Sequence, residues 1–134
     1  MATYASGTFE VTPTPQGQND QSGNSALSRR SIDKTFHGDL EATSTGEMLA
    51  AATAVKGSAG YVAIEQVTGA LVGRSGSFTL QHSGTMDRGA QQLSVSVVPD
   101  SGIGQLAGLS GTMMITIVDG KHFYDFEYTL THGN

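Results

Sequence analysis

Polar and apolar residues alternate along most of this chain, in runs that Gly, Asp, Ser or Pro interrupts at short intervals. That two-residue period belongs to half-buried strands, not to helices. Thr8-Phe9-Glu10-Val11 alternates and stops at Thr12-Pro13-Thr14-Pro15. From Ser31 to Leu40, Ile32, Phe36 and Leu40 fall on one side and Asp33, Thr35, His37 and Asp39 on the other. Further strands are expected from Gly60 to Val72, Gly76 to Met86, Gln92 to Val98, Leu106 to Val118 and Lys121 to Thr131. Glu47 to Val55 (EMLAAATAV) has the alanines of a helical turn, but it is short and its neighbours alternate, so it is read as a strand. Asp119-Gly120 suits a type I′ hairpin turn. The total is about eight antiparallel strands in a meander, and such a sheet removes its exposed edges by closing on itself. Glycines within strands (Gly7, Gly38, Gly69, Gly108 and Gly111) let strands bend where a barrel turns its corners. The expected fold is all-β, an eight-stranded antiparallel up-and-down barrel.

At 134 residues the chain has room for one core, so residues 1–134 are read as a single barrel domain, with the polar stretch 13–25 as a mobile loop. Seven basic against twelve acidic residues give a net charge of -5, and the cations do not cluster beyond Arg29-Arg30. Nucleic acid and anionic membrane surfaces are therefore not expected partners. No apolar run is long enough for a membrane helix and no secretory signal is evident. Cysteine is absent, which removes disulfides and thiolate chemistry and fits a cytoplasmic location.

The inward faces carry the candidates for chemistry. Phe36, Phe78, Leu80, Val95, Tyr124 and Phe126 are expected to line the lumen as ligand-binding residues, and Leu93, Val97 and Leu40 are also expected to point inward. If Arg74 and Ser75 are the central residues of a hairpin, Leu71 pairs with Phe78 and Val67 with His82. Tyr61, Ala63, Glu65 and Val67 then share the inner face with Phe78, Leu80 and His82, whereas a bulge at Gly69 or Gly73 reverses the assignment. In this register Glu65 lies diagonally from His82, about 7–8 Å away between backbones. A carboxylate among apolar groups loses hydration, so its pKa is expected to rise, towards general acid or base work near neutrality. Glu65, His82 and Tyr128 are the catalytic candidates, and Tyr61 binds ligand through its hydroxyl. The rival readings are a hydrogen-bonded rim histidine, a solvent-facing Glu65 and core tyrosines with edge hydroxyls. His37, His122 and His132 show no metal-ligand spacing, so no metal is expected, and no cofactor motif is present. Ser75, Ser77 and Ser101 lack the strand–elbow–helix setting of a hydrolase nucleophile.

Several phrases carry a family likeness: Gly-Thr-Phe-Glu-Val (7–11), Gly-Asp-Leu-Glu (38–41), Gly-Arg-Ser-Gly-Ser-Phe-Thr-Leu-Gln-His-Ser-Gly (73–84) and Ser-Gly-Ile-Gly-Gln-Leu-Ala-Gly-Leu-Ser-Gly (101–111). With them the chain resembles a bacterial family of small proteins of unknown function that has the allene-oxide-cyclase-like, lipocalin-like barrel. Ala42 departs from the glycine expected after Gly-Asp-Leu-Glu. The resemblance implies the fold. Plant allene oxide cyclases, its distant relatives, steer ring closure of a fatty-acid epoxide without a cofactor, and none of their catalytic residues maps onto this sequence.

The expected function is that of a cofactor-independent isomerase, cyclase or lyase acting by general acid/base chemistry on a small, largely apolar molecule. The alternative is a carrier or sensor of a small hydrophobic ligand, without chemistry. Val62, Ile64 and Val98, placed outward, would form an apolar patch, so a homodimer or homotrimer is expected.

Overall fold

A computed structural model describes residues 3–12, 14–15 and 26–130. Among them the chain forms eight long strands and no helix: β1 (Thr3–Val11), β2 (Ala26–Gly38), β3 (Leu40–Ala52), β4 (Ala59–Leu71), β5 (Arg74–Asp87), β6 (Ala90–Val97), β7 (Leu109–Val118) and β8 (Lys121–Leu130). Two short segments add edge pairing, Thr14–Pro15 against Ser31 and Arg30, and Ile103–Gly104 against Ser77 and Gly76. The rest of the expected mobile segment 13–25, and His132, lie outside the described residues.

Spatial order follows chain order from β1 to β8, every neighbour is antiparallel, and β1 pairs with both β2 and β8. The sheet is therefore a closed eight-stranded up-and-down barrel. Its thinnest seam is β6 to β7, where Ser96 opposite Thr112 is the single ladder pair among the described residues.

Three hairpins turn on two residues that both have positive φ: Val72-Gly73 (47° and 83°), Arg88-Gly89 (48° and 95°) and Asp119-Gly120 (51° and 77°). Positive φ at both positions is the type I′ shape, whose twist matches that of the flanking strands. The first of these corrects the expected Arg74-Ser75 turn. Leu71 pairs with Arg74, Val67 with Phe78 and Ala63 with His82. The tight loop closes on Gly73, which takes positive φ without strain. The slip is even in residues, so every inward assignment on β4 and β5 survives it.

Other boundaries also differ. The run from Ser31 to Leu40 is split, because the chain reverses at Gly38 (φ 109°) and Asp39, and Leu40 already opens β3. The alanine-rich stretch from Glu47 is the second half of β3 and ends at Ala52, short of Val55. β7 starts at Leu109, because Leu106 folds into the connection after β6 and is buried there.

The two ends of the barrel are filled differently. Phe36, Leu40, Leu71, Phe78, Leu80, Leu106, Tyr124 and Phe126 are fully buried and close the end that holds the β2–β3 and β4–β5 turns. Phe78 stacks on Phe126 with centroids 5.9 Å apart, and Phe126 on Tyr128 at 5.2 Å. The Tyr124 hydroxyl donates to the His37 carbonyl at 2.9 Å and accepts the Leu40 N–H at 2.9 Å, so β8 pins the β2–β3 turn. Gly7 and Gly38 allow that crossing, since a Cβ on Gly7 would collide with the His37 carbonyl. Burial raises the Tyr124 pKa, the Leu40 N–H opposes this, and the charges of Asp39 and Glu41 add to the rise. At the opposite end inward positions are occupied by Ser28, Ala50, Ala59 and Gly84, and the bore is hollow. Leu93, expected in the core, is an inward position at this hollow rim and remains 46% exposed.

Candidate functional site

The register sorts the inward residues into cross-strand rows. Ser28, Ala50, Tyr61, Gly84 and Leu93 form the row at the hollow mouth. The next row down is Arg30, Met48, Ala63, His82 and Val95, and below it lie Ile32, Gly46, Glu65, Leu80 and Val97. Glu65 on β4 and His82 on β5 are thus diagonal neighbours, as alternation predicts.

Glu65 has none of its surface exposed, and its carboxylate is the hub of the site. Oε1 accepts hydrogen bonds from His82 Nε2 at 2.6 Å and from Lys34 Nζ at 3.0 Å. Oε2 accepts one from Ser44 Oγ at 2.6 Å. Gly46 stands directly across from Glu65, and a Cβ there would run into the Ile64 carbonyl and the Glu65 backbone. Burial pushes the Glu65 pKa up. The His82 hydrogen bond, the Lys34 charge, the Ser44 hydroxyl and the His82 charge together outweigh burial and hold it down at about 2. This overturns the expected rise: the carboxylate is desolvated but fully compensated, and it stays ionised at neutral pH.

Lys34 and Ser44 complete the site, and neither was singled out from the sequence. The signal was present, because Lys34 has the same alternation as Ile32 and Phe36, and Ser44 the same as Leu40 and Ala42. Lys34 is 8% exposed, with Nζ 4.8 Å from the Phe9 ring centroid and 5.8 Å from that of Phe36. Its ammonium therefore has both a carboxylate and aromatic faces to replace water.

The site communicates with the mouth through one side chain. Because Glu65 can only accept, His82 Nε2 carries the proton shared with it, and Nδ1 is the ring atom that faces Tyr61. Nδ1 lies 3.5 Å from the Tyr61 hydroxyl, and the two rings are 6.4 Å apart. The Tyr61 ring lies over Gly84, so closely that a Cβ on Gly84 would overlap it. Burial, and then the Glu65 charge, raise the Tyr61 pKa, so its hydroxyl keeps its proton and acts as a donor. Above Tyr61 opens a cavity of about 590 Å³, walled by Ala50, Ala59, Gly60, Met48, Met86 and Leu93, with Ser28, Arg30, Gln91 and Gln92 at its polar positions. Such a volume suits one small molecule.

Of the sequence candidates, Glu65 and His82 come into direct contact and Tyr61 joins them. Tyr128 does not: it is buried in the stack with Phe126 and, among the described residues, shares no hydrogen bond or ring contact with Glu65 or His82. Phe36, Phe78, Leu80, Val95, Tyr124 and Phe126 face inward as expected, but they pack into the filled half and do not wall the mouth cavity. Large side chains on facing strands meet across the bore there and leave no room. Among the described residues no three His, Asp or Glu side chains converge as metal ligands, and no helix is long and apolar enough to cross a membrane.

The family model described as protein of unknown function DUF3224 matches residues 5–128. A protein of unknown function from the DUF3224 family of Shewanella oneidensis MR-1, whose crystal structure is known, superposes with a TM-score of 0.92 at 53% sequence identity, covering 98% of this chain and 100% of that one. No curated protein matches the sequence.

Proposed function

The chain belongs to the DUF3224 family of proteins of unknown function, and on that premise we propose that it is a cofactor-independent enzyme of the isomerase, cyclase or lyase kind. It holds a small, largely apolar molecule in the barrel mouth and moves one proton, in the cytoplasm. The supporting observation is the unbroken series from cavity to Tyr61 hydroxyl to His82 Nδ1 to Glu65 carboxylate. Tyr61 is the group that meets the bound molecule: its oxygen takes a proton from the molecule as its own O–H proton passes to His82 Nδ1, and the reverse transfer gives a proton back to the rearranged molecule. His82 takes up or returns the proton through Nδ1, while Glu65 fixes the tautomer and stabilises the imidazolium when it forms. The likeness to allene oxide cyclases belongs to the same proposal, since ring closure without a cofactor asks of a lumen what this mouth offers: shape, dryness and one proton donor.

A reporter reaction tests this directly. In D2O the protein is expected to speed α-proton exchange of the apolar ketone 2-tetralone above the buffer rate, as followed by proton NMR. Tyr61→Phe and His82→Gln are each expected to lower that rate by about a hundredfold. A wild-type rate equal to buffer, or undiminished exchange in both variants, would remove the catalytic assignment.

One observation favours the alternative of a carrier without chemistry. His82 is only 3% exposed and does not wall the cavity, so a bound molecule meets a single phenol. A carrier would bind 2-tetralone and release it undeuterated.

A further inference from the structure

Among the described residues, the mouth cavity contains one charged side chain. Arg30 is on the inward face of β2, in the same cross-strand row as His82, and its guanidinium is exposed at the rim. Its neighbour Arg29 points outward and meets Glu47 at 3.7 Å. Arg30 has no carboxylate partner among the described residues, and no acidic side chain walls the cavity. A chain of net charge -5 repels anions at long range, so an arginine facing a mostly apolar cavity is a local exception to its field.

Resting on the reading above, we propose that the molecule held in the mouth is an amphipathic monocarboxylate, with Arg30 as its anchor. A planar guanidinium binds a carboxylate through two parallel hydrogen bonds, which fixes orientation as well as position. Arg30 on β2 and Tyr61 on β4 are two strand spacings and one inward row apart, a span of about 12 Å. The carboxylate sits on Arg30 and the apolar body crosses the Met48 and Ala50 wall. The far end arrives at Tyr61. Met48 and Met86 suit an aromatic or branched body, because thioethers adapt to irregular shapes and make favourable contacts with ring edges.

The test compares two compounds of that length, 4-phenylbutyrate and its neutral counterpart 4-phenylbutanol, by titration calorimetry on the full chain. The acid is expected to bind about three- to tenfold tighter than the alcohol, the range open to a bidentate pair at a solvated rim. Arg30→Gln should abolish that preference and leave the alcohol unchanged, Arg30→Lys should keep part of it, and added salt should weaken the acid alone. Equal binding of acid and alcohol, or equal weakening of both by Arg30→Gln, overturns the anchor while leaving the mouth as a binding site. Binding of neither compound overturns the anchor together with the binding reading beneath it.

Discussion

A carboxylate with no exposed surface is costly unless its lone pairs are met by donors and its charge by a cation. Glu65 meets both conditions, through His82, Lys34 and Ser44. Its folded pKa of about 2 lies below the ordinary 4.5, so the ionised form is bound more favourably in the folded state. The resulting stability is present above pH 4.5 and is lost as pH falls towards 2. Its size is about 3 kcal/mol by proton linkage. Denaturant unfolding between pH 6 and pH 2 is expected to show that loss in the wild type, and Glu65→Gln, less stable at pH 6, should lack most of the acid slope. An equal slope in both chains would count against Glu65 as the group that titrates. At this scale alternation placed Glu65 and His82 correctly. The direction of the pKa did not follow from alternation, because it depends on Lys34 and Ser44, which reach the carboxylate from strands remote in sequence.

At the scale of elements, strand identity was legible and registers were not. Val-Gly-Arg-Ser-Gly (72–76) offers several two-residue turns, and nothing local chooses among them. The choice of Val72-Gly73 places Val67 against Phe78 and brings Ala63 opposite His82. That choice places Val72 at φ 47°, a strained conformation for a β-branched residue, with its side chain 59% exposed. Val72→Asn is therefore expected to stabilise the barrel by about 1 kcal/mol, since asparagine tolerates this backbone and precedes glycine in type I′ turns. A rise in Tm checks it, and an unchanged or lower Tm would show the strain to be absorbed elsewhere. The alanine-rich end of β3 was the ambiguous element, and one of its alanines has a spatial reason: Ala50 is part of the cavity wall.

For the molecule as a whole, the outer surface carries an apolar area on β2 to β4, where Leu27, Leu49, Val62 and Ile64 are each at least 50% exposed. Val98, expected beside them, is half-buried at the start of the β6–β7 connection. Light scattering is expected to find a dimer or trimer, and Val62→Glu with Ile64→Lys should shift it to monomer; a monomeric wild type at working concentration would refute this expectation. Two-residue periodicity and turn chemistry were sufficient to specify a closed meander, because side chains that alternate faces need one buried surface and eight such strands bury it best by rolling up. They also assigned inner and outer faces, which any even slip of register preserves. Only the folded barrel decided that one half is filled and the other hollow, that the aromatic residues expected around a ligand pack on one another, and that Lys34 compensates Glu65. Those outcomes depend on which inward side chains meet across the bore, and the one-dimensional pattern of a strand does not contain its partners on the far wall.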